Sequence, residues 1–144
     1  MAVLEAVSLV LAGLLAGAEL IVRWGVQPAL RNLDDRAHIA ARVALVRSLR
    51  VVVPILMVPT VVAAVAVLIA DAAPFRWAGV ALLLAFLLFA FLGTVPINMK
   101  VSDWRADAPP TDWRATVVRW ERIDVFRSSA AILAFVCFAF AATT

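Results

Sequence analysis

Residues 51–70 read VVVPILMVPTVVAAVAVLIA and contain no charge. A helix of that length rises ~30 Å, the thickness of the hydrocarbon core of a bilayer. The stretch from Trp77 to Met99 is also uncharged, and only Asp71-Ala-Ala-Pro-Phe-Arg76 separates the two. So short a link predicts two antiparallel membrane helices.

Outward from this pair, a run from Val3 to Val22 has spanning length but carries Glu5 and Glu19. The last apolar run, Ser128 to Thr144, is short for a crossing. Asp112 to Ala142, however, contains neither Pro nor Gly and can form one helix of ~46 Å. Asp34 or Asp35 can cap a helix that begins in the first connection and continues into the second span, with a kink expected at Pro54. The expected fold is all-α: a four-helix transmembrane bundle with antiparallel up-down connectivity. Its second and fourth helices extend beyond the membrane on the cytoplasmic side, and residues 1–144 form a single domain.

Composition excludes the alternatives. Of 144 residues 65% are hydrophobic, which a soluble domain of this size cannot bury. The formal charge of +3 comes from Lys and Arg that flank apolar runs, so the expected partner is the lipid bilayer and no nucleic acid. The single cysteine, Cys137, permits no intrachain disulfide, and the single histidine makes a transition-metal centre or haem a poor fit. No cofactor and no metal are therefore expected. The start, Met1-Ala-Val-Leu-Glu5, lacks the basic segment of a cleavable signal, so the first run is expected to be kept. No internal repeat, low-complexity tract or Gly-rich phosphate loop is present, which argues against transporter and NTPase classes.

Basic residues set the orientation. Arg31, Arg36, Arg42, Arg47 and Arg50 surround the first connection, and Lys100, Arg105, Arg114, Arg119 and Arg122 surround the third. The second has only Arg76. Cytoplasmic segments collect Lys and Arg, so a multi-pass protein of the cell (inner) membrane is expected, with the first and third loops inside and both termini outside. Trp24, Trp104, Trp113 and Trp120 fall at or beyond the inner boundary and Trp77 at the outer one, where indole rings anchor. Gly13 and Gly17 make a small-xxx-small pair that could serve a homo-oligomer.

The polar residues supply a candidate site. At 100° per residue, Glu5, Ser8, Ala12, Glu19 and Arg23 share a stripe of the first helix, and Trp113, Trp120, Asp124 and Arg127 lie within a narrow arc of the last. Charges inside a span are costly unless partnered, so these stripes should face inward, with a local Glu19–Arg23 ion pair available. His38 and Arg42 head an apolar stripe of the second helix, and Thr94 and Asn98 share a face at the end of the third, loosened by Pro96. With the expected topology, Glu19, Arg23, His38, Arg42, Asn98, Asp124 and Arg127 converge at the inner end. They would form a pocket open toward the cytoplasmic leaflet.

The stretches Gly13-Leu-Leu-Ala-Gly-Ala-Glu19 and Val95-Pro-Ile-Asn98, Trp120 seven residues before Arg127, Pro28, and the entry Pro109-Pro-Thr-Asp-Trp113 occur in this order and spacing over nearly the whole chain. In these the chain resembles the anthrone oxygenase-like family of small four-helix membrane proteins. The resemblance implies a monooxygenase, an oxidoreductase that converts polyketide anthrones to anthraquinones without a recognisable cofactor motif. It also implies a His beside position 124, where this chain reads Arg122-Ile-Asp-Val-Phe-Arg127.

Two functional readings follow. In one, the pocket binds a small hydrophobic or aromatic molecule and Glu19, Arg23, His38, Asn98, Asp124 and Arg127 form the catalytic set. A carboxylate would remove a proton, cations would hold the oxyanion, and Arg42, Thr94, Trp113 and Trp120 would contact the substrate. In the other, the same cluster holds a lipid headgroup, quinone or partner subunit without catalysis.

Overall fold

The computed structural model describes residues 1–143; Thr144, the end of the expected last run, lies outside them. Among the described residues, four helices are long and apolar enough to cross a membrane: Ala2–Arg31, Asp35–Ala70, Pro74–Val101 and Trp113–Ala141. The second starts as expected, with Asp34 as its cap: Oδ1 accepts from the Ala37 N–H at 2.9 Å. That helix continues through both Pro54 and Pro59. In the long third connection Arg105 donates to Asp107, which holds that carboxyl below its ordinary value.

The first and third helices share a device. Each contains a π-helical turn, at Val22–Val26 and Ala90–Thr94. Each turn overlaps a Gly-x-x-Pro sequence, Gly25-Val-Gln-Pro28 in one case and Gly93-Thr-Val-Pro96 in the other. A proline within a helix lacks the N–H for the carbonyl four residues back, and its ring crowds that carbonyl. Widening the preceding turn removes the conflict: the Gln27 N–H bonds to Val22 O and the Val95 N–H to Ala90 O, each five residues back.

The helices pack as a ring, the first against the second and fourth, the third against the same two. The third and fourth lie closest, because a Cβ at Gly79 would collide with the Phe138 ring and one at Gly93 would lie 2.8 Å from Ile123. Gly13 instead faces Phe135 of the fourth helix, while Gly17 meets open space. One apolar core joins Leu15, Met57, Leu83, Phe86, Ala134 and Phe138; a second joins Val22, Ile39, Val46, Ile97, Val101 and Trp120. The outer faces are apolar as well: Val10, Leu14, Ile55, Val62, Leu84, Leu92 and Leu133 are all exposed. Apolar outside and, as shown next, charged inside is the distribution of a multi-pass membrane protein in contact with lipid.

Candidate functional site

Between the two apolar cores lies a layer of charge. Arg127 is 4% exposed, Glu19 1% and Asp124 2%, so none of the three has water to lean on. The Arg127 Nε donates to Glu19 Oε2 at 3.1 Å and its NH2 group to Asp124 Oδ1 at 2.9 Å. The guanidinium also lies 5.7 Å from the Trp120 ring centre and 5.9 Å from that of Phe86. A buried cation is tolerated only when its donors are met by anions in good geometry, and here two carboxylates share one guanidinium.

A second arginine, Arg42, is 1% exposed and lies over the same Trp120 ring at 5.2 Å. It donates to Gln27 Oε1 at 3.2 Å, contacts His38 Nε2 at 3.3 Å and reaches Glu121 at 3.6 Å. Glu121 in turn pairs with Arg31 at 2.8 Å, so this one carboxylate ties together the first, second and fourth helices. His38 packs edge-on against Trp113. Gln27 lies beside Asp124, with its Nε2 buried.

Arg23 departs from expectation. It does not pair with Glu19; it donates to Ser128 Oγ at 3.2 Å and Ser129 Oγ at 2.9 Å and lies over Trp24. The π-helical turn that starts at Val22 accounts for the change, because it breaks the four-residue register on which the expected pair rested. Glu19 is left to Arg127 across the bundle.

Among the described residues three spaces border this layer: two open grooves of about 380 and 300 Å³, the first lined in part by Arg23 and Asp124 and the second by His38 and Trp113, and a smaller, more enclosed one on the other side of Arg127. A cavity of about 150 Å³ sits between the second and third helices, walled by Leu49, Val53, Met57, Phe91 and Val95. Its polar lining includes Thr94, Asn98, Trp120 and Arg127, and the Trp120 Nε1–H donates to Asn98 Oδ1 at 2.8 Å. Four of the ten expected residues therefore line this cavity. Glu19 and Asp124 stand behind Arg127; Arg23, His38, Arg42 and Trp113 do not line it. Sequence reading missed Glu121, Gln27 and the apolar walls. It also missed a second charged cluster at the far end of the bundle, where buried Arg76 pairs with Glu5 and Asp71. Among the described residues no three of His, Cys, Asp and Glu converge as metal ligands.

The central layer makes a direct prediction. Arg127→Met leaves two buried carboxylates without their cation and should cost ~3–5 kcal/mol of stability, read from unfolding in detergent. Adding Glu19→Gln and Asp124→Asn should restore most of it. An unchanged midpoint for Arg127→Met would show that the layer is not structural.

A family model described as anthrone oxygenase matches residues 42–137. The match takes in Thr94, Asn98, Trp120, Asp124 and Arg127 but leaves out the whole of the first helix, with Glu19 and Arg23, and also His38, so it is narrower than the motif resemblance, which ran over nearly the whole chain. No curated protein and no solved structure matches the chain. With two thirds of its length covered by the family, the chain belongs to the anthrone oxygenase family.

Proposed function

We propose that this protein binds a small, planar aromatic molecule in the cavity between its second and third helices and oxidises it with O₂. The observation that carries the reading is the wall the cavity shares with the charged layer. Arg127 faces a small-molecule space on one side and is held by Glu19 and Asp124 on the other. A guanidinium fixed in a water-poor site is suited to hold a developing oxyanion, because it needs no reorganisation when the charge appears.

For an anthrone the steps balance as follows. The ring ketone oxygen accepts from Arg127, with the Asn98 amide beside it, which acidifies the opposite CH₂ group. The CH₂ group lies on the side of the ring away from Arg127, so its proton passes to water at the cavity mouth and is later taken up by the peroxide, while Glu19 and Asp124, behind Arg127, hold the guanidinium in place. The resulting carbanion adds O₂ to give a hydroperoxide, which loses water to leave a second ketone. Overall CH₂ plus O₂ becomes C=O plus H₂O, and no step runs through a cofactor. Trp120, packed by Arg42 and Arg127 and donating to Asn98, fixes the Asn98 amide in the cavity wall. Arg23, His38, Arg42 and Trp113 are not substrate contacts in this reading; they hold the basic end of the bundle together.

The same reading places the chain in the cell membrane with up-down antiparallel helices. The basic ends of the second and fourth helices then project into the cytoplasm and both termini lie outside. Supporting it, Glu5 near the start of the first helix pairs with Arg76 near the start of the third, and Arg31 at the end of the first pairs with Glu121 of the fourth. Periplasmic alkaline phosphatase fused after Thr144 should be active and a fusion after Asp107 inactive. The reverse pattern would overturn the orientation.

Oxygen uptake by the purified protein with anthrone tests the chemistry. Turnover should be measurable, and Arg127→Lys, which keeps the charge but loses the fork of donors, should lower kcat by about 100-fold, as loss of an oxyanion donor does elsewhere. Binding of anthrone without oxygen uptake would leave a carrier and overturn the catalytic reading.

A further inference from the structure

The cavity exists because the third helix leans away from the second. These helices touch along Pro74–Phe89 and again along Val95–Val101, but scarcely at all at the π-helical turn Ala90–Thr94. That turn packs instead on the fourth helix. Gly93 permits the approach, since any Cβ there would lie 2.8 Å from Ile123 Cγ2. The widened turn relieves the clash of Pro96, and the missing side chain at Gly93 lets that turn settle on the fourth helix rather than the second. A gap between the second and third helices is the consequence.

The gap faces lipid. At its rim Phe91 is 57% exposed, Val95 40% and Met99 66%. The neighbouring outward positions, Val51, Ile55 and Leu92, are exposed apolar side chains of the same two helices. The mouth is ringed by such side chains except at exposed Arg50, which marks its edge toward the basic end of the bundle, whereas the polar groups Thr94, Asn98, Trp120 and Arg127 lie among the cavity's lining.

We propose that the gap is a lateral window through which the ligand enters from the bilayer, oxygen end first. This rests on the reading of the cavity as the ligand site. It narrows the ligand to a membrane-dissolved ketone or phenol with a flat apolar body and excludes water-borne acids and sugars. Clefts that enclose a drug-sized molecule begin near ~300 Å³, so a cavity of about 150 Å³ encloses the polar end while the remainder lies between the helices or in lipid.

The test uses thiol labelling in liposomes on a Cys137→Ser background, with Thr94→Cys as the reporter and Met57→Cys as a second one should the first fail to fold. A lipid-partitioning maleimide should label either cysteine about tenfold or more faster than a charged, membrane-impermeant thiol reagent applied on both sides, because charge is excluded at membrane depth. Val95→Trp at the rim should slow the lipid-soluble reagent at least about fivefold by filling the mouth. Labelling mainly by the charged reagent would overturn the window, and so would a folded reporter that neither reagent reaches. Because the readout needs no turnover, labelling as expected together with no oxygen uptake would keep the window and reject the oxygenase reading.

Discussion

A guanidinium cannot be carried to the middle of a membrane bundle unless its charge is met there, and the arrangement around Arg127 follows from that constraint. Glu19 must reach it from the first helix and Asp124 from the preceding turn of its own helix, which sets the rotation of the first and fourth helices about their axes. Apolar packing alone would leave those rotations poorly determined, since the outer faces are as apolar as the inner ones. The ion triad supplies directional bonds where the hydrophobic effect is absent. The same bonds hold the Arg127 guanidinium in the wall of the cavity.

The window depends on a second, independent constraint. Prolines at 28 and 96 each follow a wider turn, unlike Pro54 and Pro59 in the second helix, and the two turns have different consequences. In the first helix the wider turn redirects Arg23 from Glu19 to Ser128 and Ser129, leaving Glu19 to Arg127. In the third, with Gly93 against Ile123, it draws the backbone onto the fourth helix and opens space beside the second. One turn completes the charged layer and the other makes room next to it. Both turns carry Gly-x-x-Pro, a short pattern that only acquires meaning once the helices are in place.

Two helices were legible from charge-free runs, the first from its apolar length, the last from the Pro- and Gly-free stretch 112–142, and the start of the second from Asp34, whose capping oxygen the structure shows bonded to Ala37. The pairing of Glu19, Asp124 and Arg127 was foreshadowed by their inward stripes, because intramembrane charge has few places to go. Arg23 was misread, because 100° per residue does not hold through a π-helical turn. The cavity was invisible for a different reason: its walls are Leu, Val, Met and Phe, indistinguishable in sequence from ordinary lipid-facing or core residues. Only the relative lean of two helices makes them a site. Trp120 had two readings, an interface anchor and a member of the inward arc, and at 2% exposed, beside Arg42 and Arg127, it follows the second.

The central claim is that Arg127, clamped by two carboxylates, presents its guanidinium to a ligand held between the second and third helices. A structure of the protein in lipid nanodiscs saturated with anthrone tests it most directly. The account predicts planar density between Val53 and Val95, with a ligand oxygen within hydrogen-bond distance of the Arg127 guanidinium and the Glu19 and Asp124 contacts intact. Density confined to another part of the protein, such as the groove beside Arg23 and Trp24, with Arg127 untouched, would contradict it.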